Sequence, residues 1–513
     1  MSNAIARAAG VTLGLLLVAG CAGGGTLPPP TPMIDAVWAD RLPATTLARR
    51  TDWWRALGDP VLDTLILHAI GASPDLQSAA VKILQSQAQA RLSTAGGAPQ
   101  IGLTGGINAV RIPPELAERL QRLDPTIVKD SLTLQASWEP DLWGKQRNAA
   151  RADMLNALGA QASYEAALMS LLGDLASGYI TLRVFEARLA LARQSEAVQA
   201  HAATLAAVRH GEGRTALQDP AQANATAAQA RAQTGALQAQ LLQQRHALAL
   251  LAGMTESEIA PLLAAPRRIP VAPAAPDVGV PRDLLRDRPD VRAAELAARA
   301  QFAKLQSTKA NLYPSFSLSG LVGFSATTIG ASTLLDLFNW DKRSIAGGVA
   351  FSVPLFDRGK LVAQVRVQDA GVEQALLGYE KAVLAAQRDV LNALAQCDTA
   401  QQSMAALSDA DEASRVTLRI AMARYHEGAS DHRTLLSVEL SDLAIRDARL
   451  QAEGNVALGY VALNRALGAG PSAADRPALL SPKVRARMTN RTRWGALLPA
   501  AQPTPPAEPE SPR

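Results

Sequence analysis

Five pairs of helix-ending or turn residues recur at one constant spacing. Pro74 and Pro289, Pro99 and Pro314, Gly144 and Gly359, Gly213 and Gly428, and Gly253 and Gly468 each lie 215 positions apart. Their surroundings agree as well. Ser73-Pro74-Asp75-Leu76 matches Arg288-Pro289-Asp290-Val291, and Arg209-His210-Gly211-Glu212-Gly213 matches Arg424-Tyr425-His426-Glu427-Gly428. Turn residues held in register over such a distance signal a duplicated unit. Whatever the first half folds into, the second half repeats.

Each unit opens with a helix that has Pro and Asp in its first turn, where a missing N–H costs nothing and a carboxylate meets the positive dipole end. These helices are predicted from Pro74 to Ala95 and from Pro289 to Asn311, and Pro99 and Pro314 follow them. The pattern then has period two. Ile101, Leu103, Gly105 and Ile107 alternate with polar or small residues, as do Leu132, Leu134, Ala136 and Trp138; the second unit offers Phe316, Leu318, Gly320, Val322 and Phe324, then Val349, Phe351 and Val353. That is two strands per unit, each with one greasy face. The loops between them are expected over residues 111–130 and 325–344.

Past the second strand the period changes again. No proline occurs between Pro140 and Pro220 or between Pro354 and Pro471. Leu168, Leu172, Leu175, Tyr179, Leu182 and Leu189 step by four and three, a coiled-coil seam. Adding 215 to the last four gives Val390, Leu394, Cys397 and Met404, so the seam keeps its phase and Cys397 reads as a small buried hydrophobe. A helix from Gly144 to Arg209 is about 100 Å long at 1.5 Å per residue. Gly213 suits a left-handed cap, and Asp219-Pro220 suits an N-cap and first position, so each unit ends in a long antiparallel hairpin with tips near residues 209–219 and 424–434.

The ends of the chain account for its charge. The net +5 comes from Arg7 within residues 1–20 and from the segment after Gly470, which has seven basic and three acidic residues; residues 21–470 are neutral. No groove for nucleic acid is indicated. The apolar run Val11 to Gly20 is too short to span a bilayer and reads as a cleaved signal peptide, residues 1–20. It ends in Val18-Ala19-Gly20-Cys21, which resembles a bacterial lipobox with Cys21 as the lipidated residue. Residues 21–58 then form a tether, 59–254 the first unit, 255–280 a linker, 281–470 the second unit and 471–513 a disordered tail. The six histidines are scattered with no zinc spacing, and no phosphate-binding glycine loop exists, so no catalytic residue, metal or cofactor is expected and the chain reads as a non-enzyme.

Four strands of membrane length cannot close a barrel, and open sheet edges are not tolerated in lipid. Several chains must pool their strands; three chains supply twelve. The fold class expected is mainly α, with a trimeric 12-stranded barrel continuous with an α-helical coiled-coil tunnel. Here a resemblance enters. Asp52-Trp53-Trp54, Gly58-Asp59-Pro60, the run Ser137 to Lys145, the run Leu284 to Glu295, Tyr313-Pro314-Ser315-Phe316, Pro354 to Gly359 and Arg424-Tyr425 through Gly428 resemble the TolC-like outer-membrane efflux proteins, in particular their lipoprotein branch. The resemblance covers residues 20–470. It implies a homotrimeric outer-membrane conduit docked to a periplasmic membrane-fusion adaptor and an inner-membrane pump of the resistance-nodulation-division type, exporting drugs or other toxic small molecules.

The resemblance also places adaptor contacts at the tips, on Arg209, Gly213, Arg424, Tyr425 and Gly428. Just beyond the second tip the chain departs from the lipoprotein branch. Arg433 and Ser437 stand where many members have Leu and Asp, and Glu439-Leu440 where Gln-Arg is usual. The aperture residues are then Asp431, Arg433, Ser437 and Glu439, with different charge. Three other readings stay open: a non-conducting structural coiled-coil lipoprotein of the envelope, a soluble coiled-coil protein whose N-terminus is not a signal, and the outer-membrane channel of a type I protein secretion system.

Overall fold

The computed structural model describes residues 51–115, 126–265, 267–273, 288–327, 339–471 and 478–498. The signal segment, Cys21, the tether up to residue 50 and the end of the tail lie outside the described residues.

A 3-10 turn, Trp53–Leu57, leads into α1 (Pro60–Ala72) and α2 (Pro74–Ala95). The strand pair β1 (Gln100–Arg111) and β2 (Thr126–Trp138) follows, then the long α3 (Lys145–Gly211), α4 (Gln218–Ala252) and the short α5 (Glu256–Leu263). The second series runs α6 (Pro289–Ala310), β3 (Ser315–Thr327), β4 (Arg343–Ser352), α7 (Arg358–His426) and α8 (His432–Ala466). A last helix, α9, spans Pro482–Arg491. α3 holds 67 residues and α7 holds 69, so each is about 100 Å long.

The chain divides into two compact units. The first holds Gln85–Leu158 and Glu295–Gly378 and contains the sheet. Its strands run in the order β1-β2-β3-β4, all antiparallel, with β1 and β4 at the edges. The hairpin registers are the same once the offset is applied. Gln100 pairs with Ser137 and Ser315 with Ser352; Gly105 pairs with Leu132 and Gly320 with Gly347. One face carries Leu103, Leu134, Val322 and Ile345 in a row across the sheet, and the other carries Thr104, Thr133, Gly323 and Ser344. Ile101, Leu103, Ile107, Val349 and Phe351 on the first face are among the most exposed large hydrophobics of the described residues.

Below the strands of this unit, Asp141 opens α3. It accepts from the backbone N–H groups of Gln146 at 3.1 Å and Arg147 at 2.8 Å, and Gly144 takes φ 77° to make the turn. Trp143 stacks on Tyr313 with ring centroids 4.9 Å apart and donates to the Pro314 carbonyl at 2.6 Å. The two matching junction motifs of the sequence therefore meet.

The second unit holds the stretch up to Leu84, Gly159–Ala294 and the residues from Tyr379. The expected seam is its core: Leu172, Leu175, Tyr179 and Leu182 are buried, as are Val390 and Cys397 in a second cluster. Trp53 and Trp54 join the first cluster, so the N-terminal tether, expected to run to residue 58, is structured from the Trp pair onward because two indoles are buried there. Asp59 caps α1 through Val61 N and accepts from Tyr179 Oη at 2.5 Å; burial foremost, then this carboxylate, pushes the Tyr179 phenol up. One 18-residue window of α3 is apolar enough to cross a membrane, but 67% of it is buried in the protein, as in a core helix.

Four expectations need correction. The strands are longer than the alternation indicated: β1 runs to Arg111, β2 starts at Thr126, β3 ends at Thr327 and β4 starts at Arg343, so the loops are shorter than 111–130 and 325–344. The linker 255–280 contains α5, started by a capping box in which Glu258 accepts from Thr255 N at 2.7 Å. Asp219 is not an N-cap but lies inside α4, whose cap is Leu217. The tail from 471 is not wholly disordered, because α9 buries Met488 with Leu480 against Ala80 and Leu84. Ser481 caps it at Val484 N, and Ser481 N donates to Gln77 Oε1 at 2.8 Å.

Candidate functional site

The two hairpin tips are built alike. Gly213 and Gly428 take φ 73° and 74° and close their helices with the paired bonds of a Schellman motif. Arg214 N donates to Arg209 O and Gly213 N to His210 O, each at 2.9 Å; Ala429 N donates to Arg424 O at 2.8 Å and Gly428 N to Tyr425 O at 3.0 Å. A Cβ at either glycine would meet nothing within 4 Å, so backbone angle alone requires glycine. Both glycines are thus structural caps. Arg424 is exposed at the second tip, and the half-buried Tyr425 packs near His432 with ring centroids 5.7 Å apart.

The expected aperture residues separate into different roles. Asp431 is the N-cap of α8, accepting from Thr434 N at 2.9 Å, and Thr434 holds its carboxyl below the usual range. Arg433 pairs with Asp219 of α4 at 2.5 Å, which ties the second hairpin to the first. Ser437 donates back to the Thr434 carbonyl of its own helix at 2.8 Å. Between them, the His432 imidazole is pushed down, first by burial and then by Arg209, with Glu439 acting the other way. Both His432 ring nitrogens are buried with no hydrogen-bond partner.

Further from the tip, the pairing of α7 with α8 encloses a charged cluster that the sequence reading missed. Asp411 is 5% exposed and Asp442 1%. Arg446 reaches Asp442 at 2.8 Å and Asp411 at 4.0 Å; Arg415 and Arg449 reach Asp411 at 2.9 and 3.4 Å; Ser414 donates to Asp442 at 2.9 Å. Asp411 Oδ1, Arg446 Nε and Arg449 Nε make no hydrogen bond, so much of this attraction is ionic rather than directional. Two further pairs join the hairpins: Arg188 grips Asp447 with two bonds of 2.8 and 3.0 Å, and Arg465 reaches Asp174 at 2.7 Å.

Arg288 explains the Arg-Pro-Asp motif. It is buried, held by both oxygens of Asp290 at 3.0 and 2.7 Å, and donates to the Ala466 carbonyl at the end of α8 at 2.7 Å. Burial pushes the Asp290 carboxyl up, but Arg288 outweighs it and holds it low. Among the described residues no group of three or more His, Cys, Asp or Glu is placed to hold a metal.

The profile of the outer membrane efflux protein family matches this chain twice, over residues 65–254 and 280–469. The chain belongs to the outer membrane efflux protein family. It is similar to the pyoverdine export outer membrane protein OpmQ of Pseudomonas putida, at 28% identity across 82% of this chain and 88% of that one. It is also similar to the fusaric acid resistance protein FusA of Burkholderia cepacia, at 31% identity over 70% and 68%. Among solved structures, the outer-membrane channel OprN matches with a TM-score of 0.77 at 28% identity, covering 88% of this chain and 99% of that chain. The fold class, mainly α with a membrane β-sheet, is the one this efflux family shares, and the chain is an outer-membrane efflux channel subunit.

In this member of the efflux family, the structure brings Arg209 near His432 and Arg433 onto Asp219, so the two tips are electrostatically joined. Arg433 also acts on Asp431, and Asp431 and Glu439 both act on His432. The 215 offset marks these charges as particular to the second half, though not as buried: Asp442, Arg446 and Arg449 stand where the first half has Ala227, Arg231 and Thr234.

Proposed function

We propose that the protein works as a homotrimer, two copies of one unit per chain, whose pooled strands close a twelve-stranded barrel in the outer membrane. The observation that carries this reading is the four-stranded sheet with one greasy face and two free edges among the described residues. A sheet this narrow cannot seal itself in lipid, where every backbone group must be paired. The purified full-length protein in mild detergent is expected to have the mass of three chains and to give stepwise conductance in planar bilayers. A single-chain mass with no conductance would sink the reading.

Cys21 is the proposed lipid anchor, supported by its place after a short apolar run ending in small residues. The hairpin tips are the proposed contact for a periplasmic adaptor, with the exposed Arg424 and the half-buried Tyr425 as the contact groups. Arg424→Glu is expected to weaken adaptor cross-linking severalfold with no loss of trimer mass. The passive duct takes energy and substrate choice from an inner-membrane pump of the resistance-nodulation-division type and carries small toxic molecules outward, in keeping with relatives named for pyoverdine export and fusaric acid resistance. Asp431 and Arg433 are both engaged in the protein, which leaves Glu439 as the acidic group of the proposed aperture. Single-channel cation selectivity is expected to fall in Glu439→Gln.

A further inference from the structure

The internal seam of the sheet predicts the seam between subunits. β2 of the first half pairs with β3 of the second, and this register includes Thr133 opposite Gly323, Leu134 opposite Val322 and Ala136 opposite Gly320. The two hairpins share one register at the 215 offset, so the strand positions themselves repeat. Moving a β2 residue forward by 215 lands on β4, and moving a β3 residue back by 215 lands on β1. If the ring closes by repeating the same step, the internal seam is copied at each subunit boundary.

From this we propose that β4 joins β1 of the next copy of this chain with Gly348 opposite Asn108 of the partner subunit, Val349 opposite Ile107 of the partner subunit and Phe351 opposite Gly105 of the partner subunit. The inference rests on the trimeric reading and adds to it a specific register.

Two observations support this register over its neighbours. The first is face parity. Val349 and Phe351 lie on the greasy face of β4, Gly105 and Ile107 on the greasy face of β1, and a slip of one residue would set greasy against polar along the whole seam. The second is how glycine is used. Inside the chain, a Cβ on Gly323 would sit 2.7 Å from Thr133 Oγ1 and 2.8 Å from the Leu132 carbonyl, so the strands approach closely only because that position is glycine. The matching positions at the boundary are Asn108 and Gly348, where the glycine has changed strands but the pair keeps one. A Cβ on Gly348 now meets nothing within 4 Å, as an open edge awaiting a side chain requires. On the opposite face, Phe351, 73% exposed, comes to lie over Gly105 of the partner subunit, the aromatic-on-glycine pairing that supports glycine in sheets. A slip of two residues loses the aromatic-on-glycine match, setting Phe351 against Leu103 of the partner subunit or Ile107 of the partner subunit.

The joint is heterologous, the kind of contact that generates a closed ring when the rotation permits. Its test is disulfide trapping in the full chain carrying Cys397→Ala. Directly opposed residues have Cα atoms about 4.5–5.5 Å apart, within disulfide reach, whereas a four-residue displacement adds roughly 13 Å. Two double variants, Val349→Cys with Ile107→Cys and Gly348→Cys with Asn108→Cys, sample successive pairs of the ladder. Val349→Cys with Leu103→Cys is the displaced control. After mild oxidation, at least one in-register variant is expected to run mostly as covalent dimers and trimers on non-reducing gels, while the control stays a single chain. Each variant is first weighed in detergent. A trimeric mass with trapping in the control, or in neither in-register variant, overturns the register and leaves the trimer standing. A single-chain mass for the parent protein overturns both.

Discussion

The two hairpins of this chain are near copies in backbone and unlike in what closes them. α4 and α8 each hold 35 residues, α3 and α7 hold 67 and 69, and both tips end in the same capped turn. In the first hairpin the closing positions are Ala227 and Thr234, buried and neutral, and the remaining pair, Arg231 to Glu196 at 3.6 Å, leaves the arginine 75% exposed. In the second hairpin the same positions are Asp442 and Arg449, and the same pair is Arg446 to Asp411, now inside a cluster of two buried carboxylates and three arginines. At these positions the first hairpin is held by packing of small neutral side chains. In the second, buried charges that must keep their partners are satisfied in one alignment of the helices, at the expense of desolvation.

The largest effect expected is from cutting the second cluster at its centre. Arg446→Ala leaves Asp442 with Ser414 alone and should cost about 3 kcal/mol, whereas Arg231→Ala should cost below about 0.5 kcal/mol. Thermal unfolding of the two variants side by side checks this, and equal shifts would erase the contrast between the hairpins. The tips make the opposite forecast. Gly213→Ala and Gly428→Ala share the same positive φ and the same open surroundings, so each should cost about 1 kcal/mol and the two should agree.

Converting the second hairpin toward the first sharpens the comparison further. Asp411→Glu, Arg415→Ala, Asp442→Ala and Arg449→Thr together remove one buried carboxylate and two arginines and leave a single carboxylate for Arg446, so desolvation cost and attraction fall together and stability should stay within about 1 kcal/mol of the parent. A loss as large as that of Arg446→Ala would show that the cluster contributes net stability. The smallest effect is expected at His432. Its folded-state affinity for protons is lowered, first by burial and then by Arg209, against Glu439 and Asp431, with His201 on the lowering side. The unfolded chain therefore binds more protons as pH falls through about 6.5, and the second tip should loosen below that value and hold above it. Hydrogen exchange around Tyr425 to Leu435 at pH 7 and pH 5 measures this, and His432→Gln should flatten the difference. Leu217 occupies the matching place in the first hairpin.

Much of this architecture is legible in the sequence. The helices after Pro74 and Pro289 begin and end within a residue of where Pro, Asp and the following breaker place them, and the seam at Leu172, Leu175 and Tyr179 is buried as its spacing required. The strand ends were not legible. Asp130 sits on the greasy face opposite Ile107, and Gly347-Gly348 interrupts β4, so the alternation stops before the ladder does, because backbone hydrogen bonds continue past residues that break the pattern. α9 was read as part of a basic disordered tail because Lys483, Arg485, Arg487 and Arg491 dominate its composition. The single buried Met488 that docks it gives too little signal in sequence. Of the candidate site residues, Gly213 and Gly428 were legible as caps, while Arg433 and Asp219 belong to different halves of the chain and only packing brings them together.

The amino-acid order by itself determined the repeat spacing, the alternation of two-residue and helical periods, and the turns, since each depends on a few neighbouring φ/ψ choices and on which residues can make them. Tertiary structure alone decided which of the many surface-type charges would be buried. Asp411 and Asp442 lie 31 positions apart in sequence, and only the return of α8 along α7 removes both from water and makes their arginines obligatory.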